Sequence, residues 1–436
     1  MSIVPTRRCG PDALAVRPGS PLTGTVCVDG SKNAALPLLA AAAALGRPVQ
    51  LSNVPASADV QLMLDLLQHS GYRVDRPVTS PSAAILRPGP RVDGIPELAD
   101  AARIRASYYL VAPLLAVCGE ARLPWPGGCQ VGDRGMELHF KVYETFGDTV
   151  LCDDTGYHVL AGPGRDWVRL PLPFRSRGAT IAAILRAVAA GSRLELGNPN
   201  LAPETTGVLA ALRTAGWNAH ASQESISLSP PPEVTAGSVA FSVPGDKIEA
   251  GTLACAIAAT GGEGRIEGIH GPDLAPFAEL LNRLGIPVTI APDALTVHRP
   301  GDLPGRPLRA IATLEPDGLD ADFEPPLMAL ALTLPGLHTF SDDINPGRHG
   351  NLLPQLGLLG AEIEELTPTL CRLTGSQRLT GAAVRAMDIR TGSALLIAAL
   401  NARGVTTVSG LHQLRRGHAD LPAKLRRLGA DITEAP

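Results

Sequence analysis

The sequence predicts an α/β protein of two domains, built from six copies of one unit with three copies in each domain. Two recurring phrases and the chain length carry that expectation. The first phrase is an apolar helix end, a glycine and a short alternating strand. It occurs at Gly71, Gly147, Gly216, Gly285, Gly360 and Gly429, about 70 residues apart, which is a supersecondary period rather than a short solenoid repeat. A glycine there suits a helix C-terminus that must turn left-handed, and the alternation after it is strand-like. The second phrase is the start of a helix rich in Ala and Leu. It appears at Ser31-Lys32-Asn33, Arg105-Ala106-Ser107, Ser176-Arg177-Gly178, Lys247-Ile248-Glu249, Asp322-Phe323-Glu324 and Arg390-Thr391-Gly392. The unit therefore reads strand, buried helix, strand, exposed helix, strand. At 436 residues the chain is also longer than one ordinary core supports.

Taken along the chain, three units precede the cluster Ser229-Pro230-Pro231-Pro232 and three follow it. A proline cluster marks a chain crossing, so the expected domains are 32–237, and 1–31 together with 238–436. Hydrophobic residues make up 45% of the chain and exclude disorder, while 3% aromatics leave a core of Ala, Leu, Val and Ile. The net charge of −4 carries no nucleic-acid footprint. Seven scattered cysteines without a Cys-x-x-Cys pair argue against a disulfide framework or a zinc site. Cys118 and Cys255 read as small core residues. The first residues lack an apolar signal core. The longest apolar run, Ala34 to Leu45, contains Pro37 and is too short to cross a bilayer. A cytoplasmic protein with no membrane partner is expected.

The chemistry is concentrated in Pro126-Gly127-Gly128-Cys129-Gln130-Val131-Gly132-Asp133-Arg134. Adjacent glycines let backbone pass close to a ligand. A thiol is mostly protonated near neutrality and loses its proton more readily beside cations. A proton donor next to a guanidinium suits a small anionic substrate. The helix starts point the same way. A helix N-terminus is partially positive, so Lys or Arg is the wrong sign there, yet five of the six buried helices open near a cation. An anion bound at those termini resolves the mismatch. The sixth start carries Asp322, whose carboxylate among cations can accept a proton from a hydroxyl.

With these residues assembled, the chain resembles the enolpyruvyl transferases, in particular the branch acting on UDP-N-acetylglucosamine in cell-wall synthesis. The likeness covers nearly the whole length. It is strongest at Gly30-Ser31-Lys32-Asn33-Ala34-Ala35-Leu36-Pro37, Arg105-Ala106-Ser107, Pro126 through His139, Ile248-Glu249-Ala250-Gly251-Thr252, Asp388-Ile389-Arg390 and Arg416-Gly417. The resemblance implies the two-domain inside-out α/β barrel fold closing over a cleft. It implies phosphoenolpyruvate as donor, with no metal or organic cofactor. By the same resemblance Cys129 protonates the donor's methylene carbon, and Asp322 takes the acceptor's hydroxyl proton. Lys32, Arg134 and Arg416 hold the donor's phosphate and carboxylate, with Arg390 and Arg105 nearby. Asn33 contacts the acceptor. Glu137, Leu138 and His139 grip a uracil ring, and Ser176, Arg177 and Gly178 stand at a nucleotide phosphate.

The departures from the family pattern lie elsewhere. Pro-Val-Asp after the loop arginine becomes Gly135-Met136-Glu137, and a lysine becomes Phe174, with Arg175 and Arg177 added close by. Glu-Pro-Glu becomes Ala202-Pro203-Glu204, and Thr-Asp-Met-Gln becomes Ala321-Asp322-Phe323-Glu324. Tyr-Glu becomes His418-Ala419. These changes cluster around the acceptor's sugar and phosphates. The expected acceptor is therefore a uridine nucleotide, first the 3′-hydroxyl of UMP as in nucleoside-antibiotic pathways of the nikkomycin and polyoxin type. UDP-N-acetylglucosamine is the second choice. The shikimate-phosphate branch lacks the Pro-Gly-Gly-Cys loop, and an inactive nucleotide-binding homologue would not need Lys32, Cys129, Arg134, Asp322 and Arg416 together.

Overall fold

A computed structural model describes residues 12–127, 135–233, 237–315 and 318–435. All six buried helices begin where the sequence places them. They are Lys32–Ala44, Val111–Cys118 entered through a 3-10 turn at Arg105–Leu110, Arg177–Ala190, Lys247–Ala259, Glu324–Ala331 entered through Ala321–Phe323, and Ile389–Ala399. They are apolar all round, the composition of a helix with no solvent face. In Arg177–Ala190 every residue from Ala179 to Val188 is buried. Arg186 lies within that run because Asp148 takes both its Nε and Nη2 at 2.7 Å.

Each buried helix is followed by a strand, a partly exposed helix and further strands. In one complete unit, strand Trp167–Pro171 leads to helix Arg177–Ala190 and strand Arg193–Gly197. The two strands pair in parallel with Leu194 opposite Val168 and Leu196 opposite Leu170. Helix Pro203–Thr214 then precedes strands Asn218–Ala221 and Ser225–Ser229, which add antiparallel pairings. The unit is thus one strand longer than the sequence suggests, ending in a hairpin. Five four-stranded sheets and one three-stranded sheet result among the described residues. In the three-stranded sheet the amide of Arg122 bonds to the Gly94 carbonyl where the other units carry their leading strand. The six repeat glycines, Gly71, Gly147, Gly216, Gly285, Gly360 and Gly429, all have φ between 83° and 103°, the left-handed turn expected of them.

The chain divides into two compact units. An inserted unit comprises Asp29–Lys247 with Leu314–Gly318, and an enclosing unit comprises Met1–Val28, Ile248–Thr313 and Leu319–Pro436. Each has its own core of Leu, Ala, Val and Ile. The second crossing thus lies at 247/248, beyond the boundary at 237/238 drawn from the proline cluster. The reason is strand Val239–Ser242, which pairs in parallel with Val49–Ser52 and completes the first sheet of the inserted unit. Correspondingly, strand Thr23–Cys27 pairs in parallel with Glu263–Glu267 in the enclosing unit. Cys255 is a core residue as expected, fully buried. Cys118 is not: it ends its helix half-buried and donates to the Val92 carbonyl at 3.2 Å. No helix among the described residues is long and apolar enough to cross a membrane.

Candidate active site

In the enclosing unit the site is built around Asp322. Its turn is fixed by packing: the Phe323 ring lies where Gly251 has no side chain. A Cβ there would stand 2.3 Å from Phe323 Cε1, and the Phe277 ring lies 4.8 Å from that of Phe323. The Asp322 amide donates to Asp320 at 3.0 Å. Arg348, the first residue of helix Arg348–Leu358, donates to Asp322 Oδ1 at 2.9 Å. Arg390 Nη2 donates to Oδ2 at 2.8 Å. The Asp322 side chain is 18% exposed, against 4% for Arg348 and 6% for Arg390. Burial works against charge on Arg348, but the Asp322 and Asp342 carboxylates prevail and raise its pKa. Arg390 is set by its helix start, where Asp388 accepts from the Arg390 and Thr391 amides at 2.9 and 3.0 Å. Arg416 caps the short helix Leu411–Arg415 and donates to Gln413 at 3.4 Å.

The inserted unit holds a second group. Lys32 opens its helix behind the cap Ser31 and lies 3.2 Å from Asp59, with Asn33 half-buried beside it. Arg105 donates to the Gly135 carbonyl at 3.4 Å, at the approach to helix Glu137–Phe146. Glu137 is exposed, Leu138 packs partly against the core and His139 is buried. The His139 ring meets the Tyr108 ring edge-on at 4.5 Å. A Cβ on Gly178 would stand 2.7 Å from His139 Nε2 and 2.9 Å from Tyr108 Oη, so only glycine admits this approach. Ser176 caps the Gly178 helix and Arg177 lies 3.2 Å from Glu204. Burial first, and the Arg105 charge second, push the His139 pKa down to about 3. The ring is neutral at ordinary pH, and neither of its nitrogens has a hydrogen-bond partner among the described residues.

The sequence-named residues thus fall into two groups, Lys32, Asn33, Arg105, Glu137 to His139 and Ser176 to Gly178 in one unit, and Asp322, Arg390 and Arg416 in the other. Cys129 and Arg134 lie outside the described residues. The cations at three of the five helix starts do not by themselves call for a bound anion, since carboxylates of the protein already face them. Asp59 faces Lys32, Glu204 faces Arg177 and Asp322 faces Arg390.

Comparison with known families decides what this arrangement belongs to. Residues 16–434 match the model of EPSP synthase, 3-phosphoshikimate 1-carboxyvinyltransferase. The chain belongs to this family of enolpyruvyl transferases. It is 32% identical over 422 residues to a UDP-N-acetylglucosamine 1-carboxyvinyltransferase of Gluconacetobacter diazotrophicus, covering 97% of this chain and 99% of that protein. A protein of the same name from Thermotoga maritima is 31% identical over 426 residues, covering 96% and 98%. Among solved structures, the enolpyruvyl transferase NikO from Streptomyces tendae superposes with a TM-score of 0.85 at 26% identity, covering 97% and 99%. EPSP synthase from Acinetobacter baumannii gives a TM-score of 0.73 at 17% identity over 97% and 100%, a likeness of fold. The mixed α/β architecture is accordingly the enolpyruvyl transferase fold, and the protein is a transferase.

Several residues around the candidate site take their place only in the tertiary structure. Arg348, whose ligand role the sequence leaves open, lies beside Asp322 and 3.0 Å from Asp342, which the sequence does not single out. The departure at Glu324 acquires its sense from His349, whose Nε2 lies 2.8 Å from Oε1 with both side chains out of solvent. Burial opposes charge on His349, but the Glu324 carboxylate outweighs it and raises the pKa. Tyr108 stands three residues beyond Arg105 and carried no signal beyond its helix.

Proposed function

We propose that this transferase moves the enolpyruvyl group of phosphoenolpyruvate onto a hydroxyl of a uridine nucleotide, with the 3′-hydroxyl of UMP as first acceptor. What supports the uridine part is the His139, Tyr108 and Gly178 arrangement, a neutral buried imidazole with one nitrogen to donate and one to accept. It stands beside Leu138, whose side chain supplies an apolar face, and near the capped helix start at Ser176 to Gly178. Similarity over the full length to the enolpyruvyl transferase NikO agrees with it.

In this reading Cys129 delivers a proton to C3 of phosphoenolpyruvate, which leaves positive character at C2. The acceptor oxygen bonds to C2 and its proton passes to Asp322. Loss of a proton from C3 with departure of phosphate from C2 restores the double bond. Lys32, Arg105, Arg134, Arg390 and Arg416 hold the donor's anionic groups. Arg348 and Arg390 hold the orientation of the Asp322 carboxylate that receives the hydroxyl proton in this reading.

UDP-N-acetylglucosamine is the second reading, favoured by the names of the relatives at 31–32% identity. Incubating enzyme and phosphoenolpyruvate with each nucleotide and following phosphate release separates the two. Release with UMP is expected. Turnover with the amino-sugar nucleotide alone discards the first choice.

A further inference from the structure

We propose that His418 is a positioning residue of the donor site, a neutral imidazole whose Nε2 lone pair sets the Arg390 guanidinium against Asp322. The inference rests on the reading of Arg390 as a ligand of phosphoenolpyruvate. A guanidinium has N–H donors only, so the 3.0 Å contact between Arg390 Nη1 and His418 Nε2 is a hydrogen bond only when Nε2 accepts. The ring proton then resides on Nδ1, 3.9 Å from Glu249 Oε1. Glu249 in turn accepts from Lys424 Nζ at 2.6 Å. The line is almost wholly out of solvent, with side-chain exposures of 6% for Arg390, 1% for His418, 2% for Glu249 and 7% for Lys424.

The charges agree with that tautomer. Glu249 is already paired with Lys424, and Asp322 with Arg390 and Arg348. A proton on His418 would add a cation 3.0 Å from Arg390 and turn an acceptor into a donor, which disfavours it. Charged groups around the ring among the described residues include Arg390 and Glu249, Lys424 behind Glu249, and Arg416 two residues away on its own segment. The family's tyrosine at this position offers a hydroxyl that can donate or accept. The imidazole held here only accepts from Arg390, and so fixes which way that guanidinium turns.

Two variants and one spectrum test this. His418→Phe removes the acceptor. It is expected to raise the KM for phosphoenolpyruvate about tenfold or more, leaving the KM for the nucleotide that turns over, UMP or UDP-N-acetylglucosamine, within about twofold. His418→Gln keeps an acceptor oxygen without a titrating ring. It should restore most of the donor affinity near pH 8 and lack the rise in donor KM on acidification that is expected of the wild-type enzyme if the ring gains a proton. Two-bond 1H–15N spectra of 15N-labelled wild-type protein, with the signal assigned by its loss in His418→Gln, report the tautomer without turnover. The Nδ1–H form is expected at neutral pH. An Nε2–H or doubly protonated ring overturns the proposal, as does a donor KM unchanged in both variants. If the wild-type enzyme releases phosphate with neither nucleotide, the functional reading fails, and the spectrum still decides the tautomer.

Discussion

Asp322 gives one oxygen to Arg348 and the other to Arg390, and replacing it by asparagine would turn an N–H group toward a guanidinium while removing the proposed base. Asp322→Asn should therefore lower kcat by about 10²–10⁴, read as phosphate release at saturating substrates. His139 makes a different kind of prediction. Its folded pKa, about 3, lies below the unfolded value of about 6.5, so between those values the unfolded chain binds more protons. Stability must fall as the pH drops from about 6.5 toward 3, by at most about 1.4 kcal/mol per pH unit from this group. His139→Phe keeps the ring and removes the titration, so its melting temperature should fall less than that of the wild type between pH 7 and 4.5. Equal falls in both proteins would remove His139 from the explanation.

At the scale of elements, the helix Lys247–Ala259 and the Asp322 turn meet where Gly251 leaves space for Phe323. Gly251→Ala places a methyl 2.3 Å from that ring and forces the turn to shift, with an expected cost of about 1–3 kcal/mol in a packed core. Because the turn carries Asp322, kcat should fall as well, by more than the loss of folded protein explains. Chemical denaturation with kinetics on the folded fraction checks both. What was legible in the sequence belongs to this scale. The helix-end glycines and helix starts are local signals, set by backbone conformation within a few residues, and the structure has them in place. The partners of the cations were not legible. Asp59 lies 27 residues from Lys32 and Arg348 lies 26 from Asp322, distances that only the tertiary fold closes. The hairpin ending five of the units was missed for a related reason, since its two strands are short and read as one strand with a tail, while in the sixth Asp431–Glu434 pairs with the distant Ala13–Arg17.

For the whole molecule, the inserted unit explains why the proline cluster misled. Pro230 to Pro232 follow a strand of that unit, and Val239–Ser242 returns to its first sheet before the chain leaves it. Parallel pairing between distant segments leaves no local trace, so composition pointed to the wrong turn. The identity of the chain as an enolpyruvyl transferase rests on its full length, while the acceptor rests on the few residues around His139. The most direct test is the NMR spectrum of the product formed from phosphoenolpyruvate and UMP. The expected result is a vinylidene group attached through the ribose 3′-oxygen, formed in equal amount with free phosphate. Unchanged UMP, with the nucleotide bound and no phosphate released, would contradict the account.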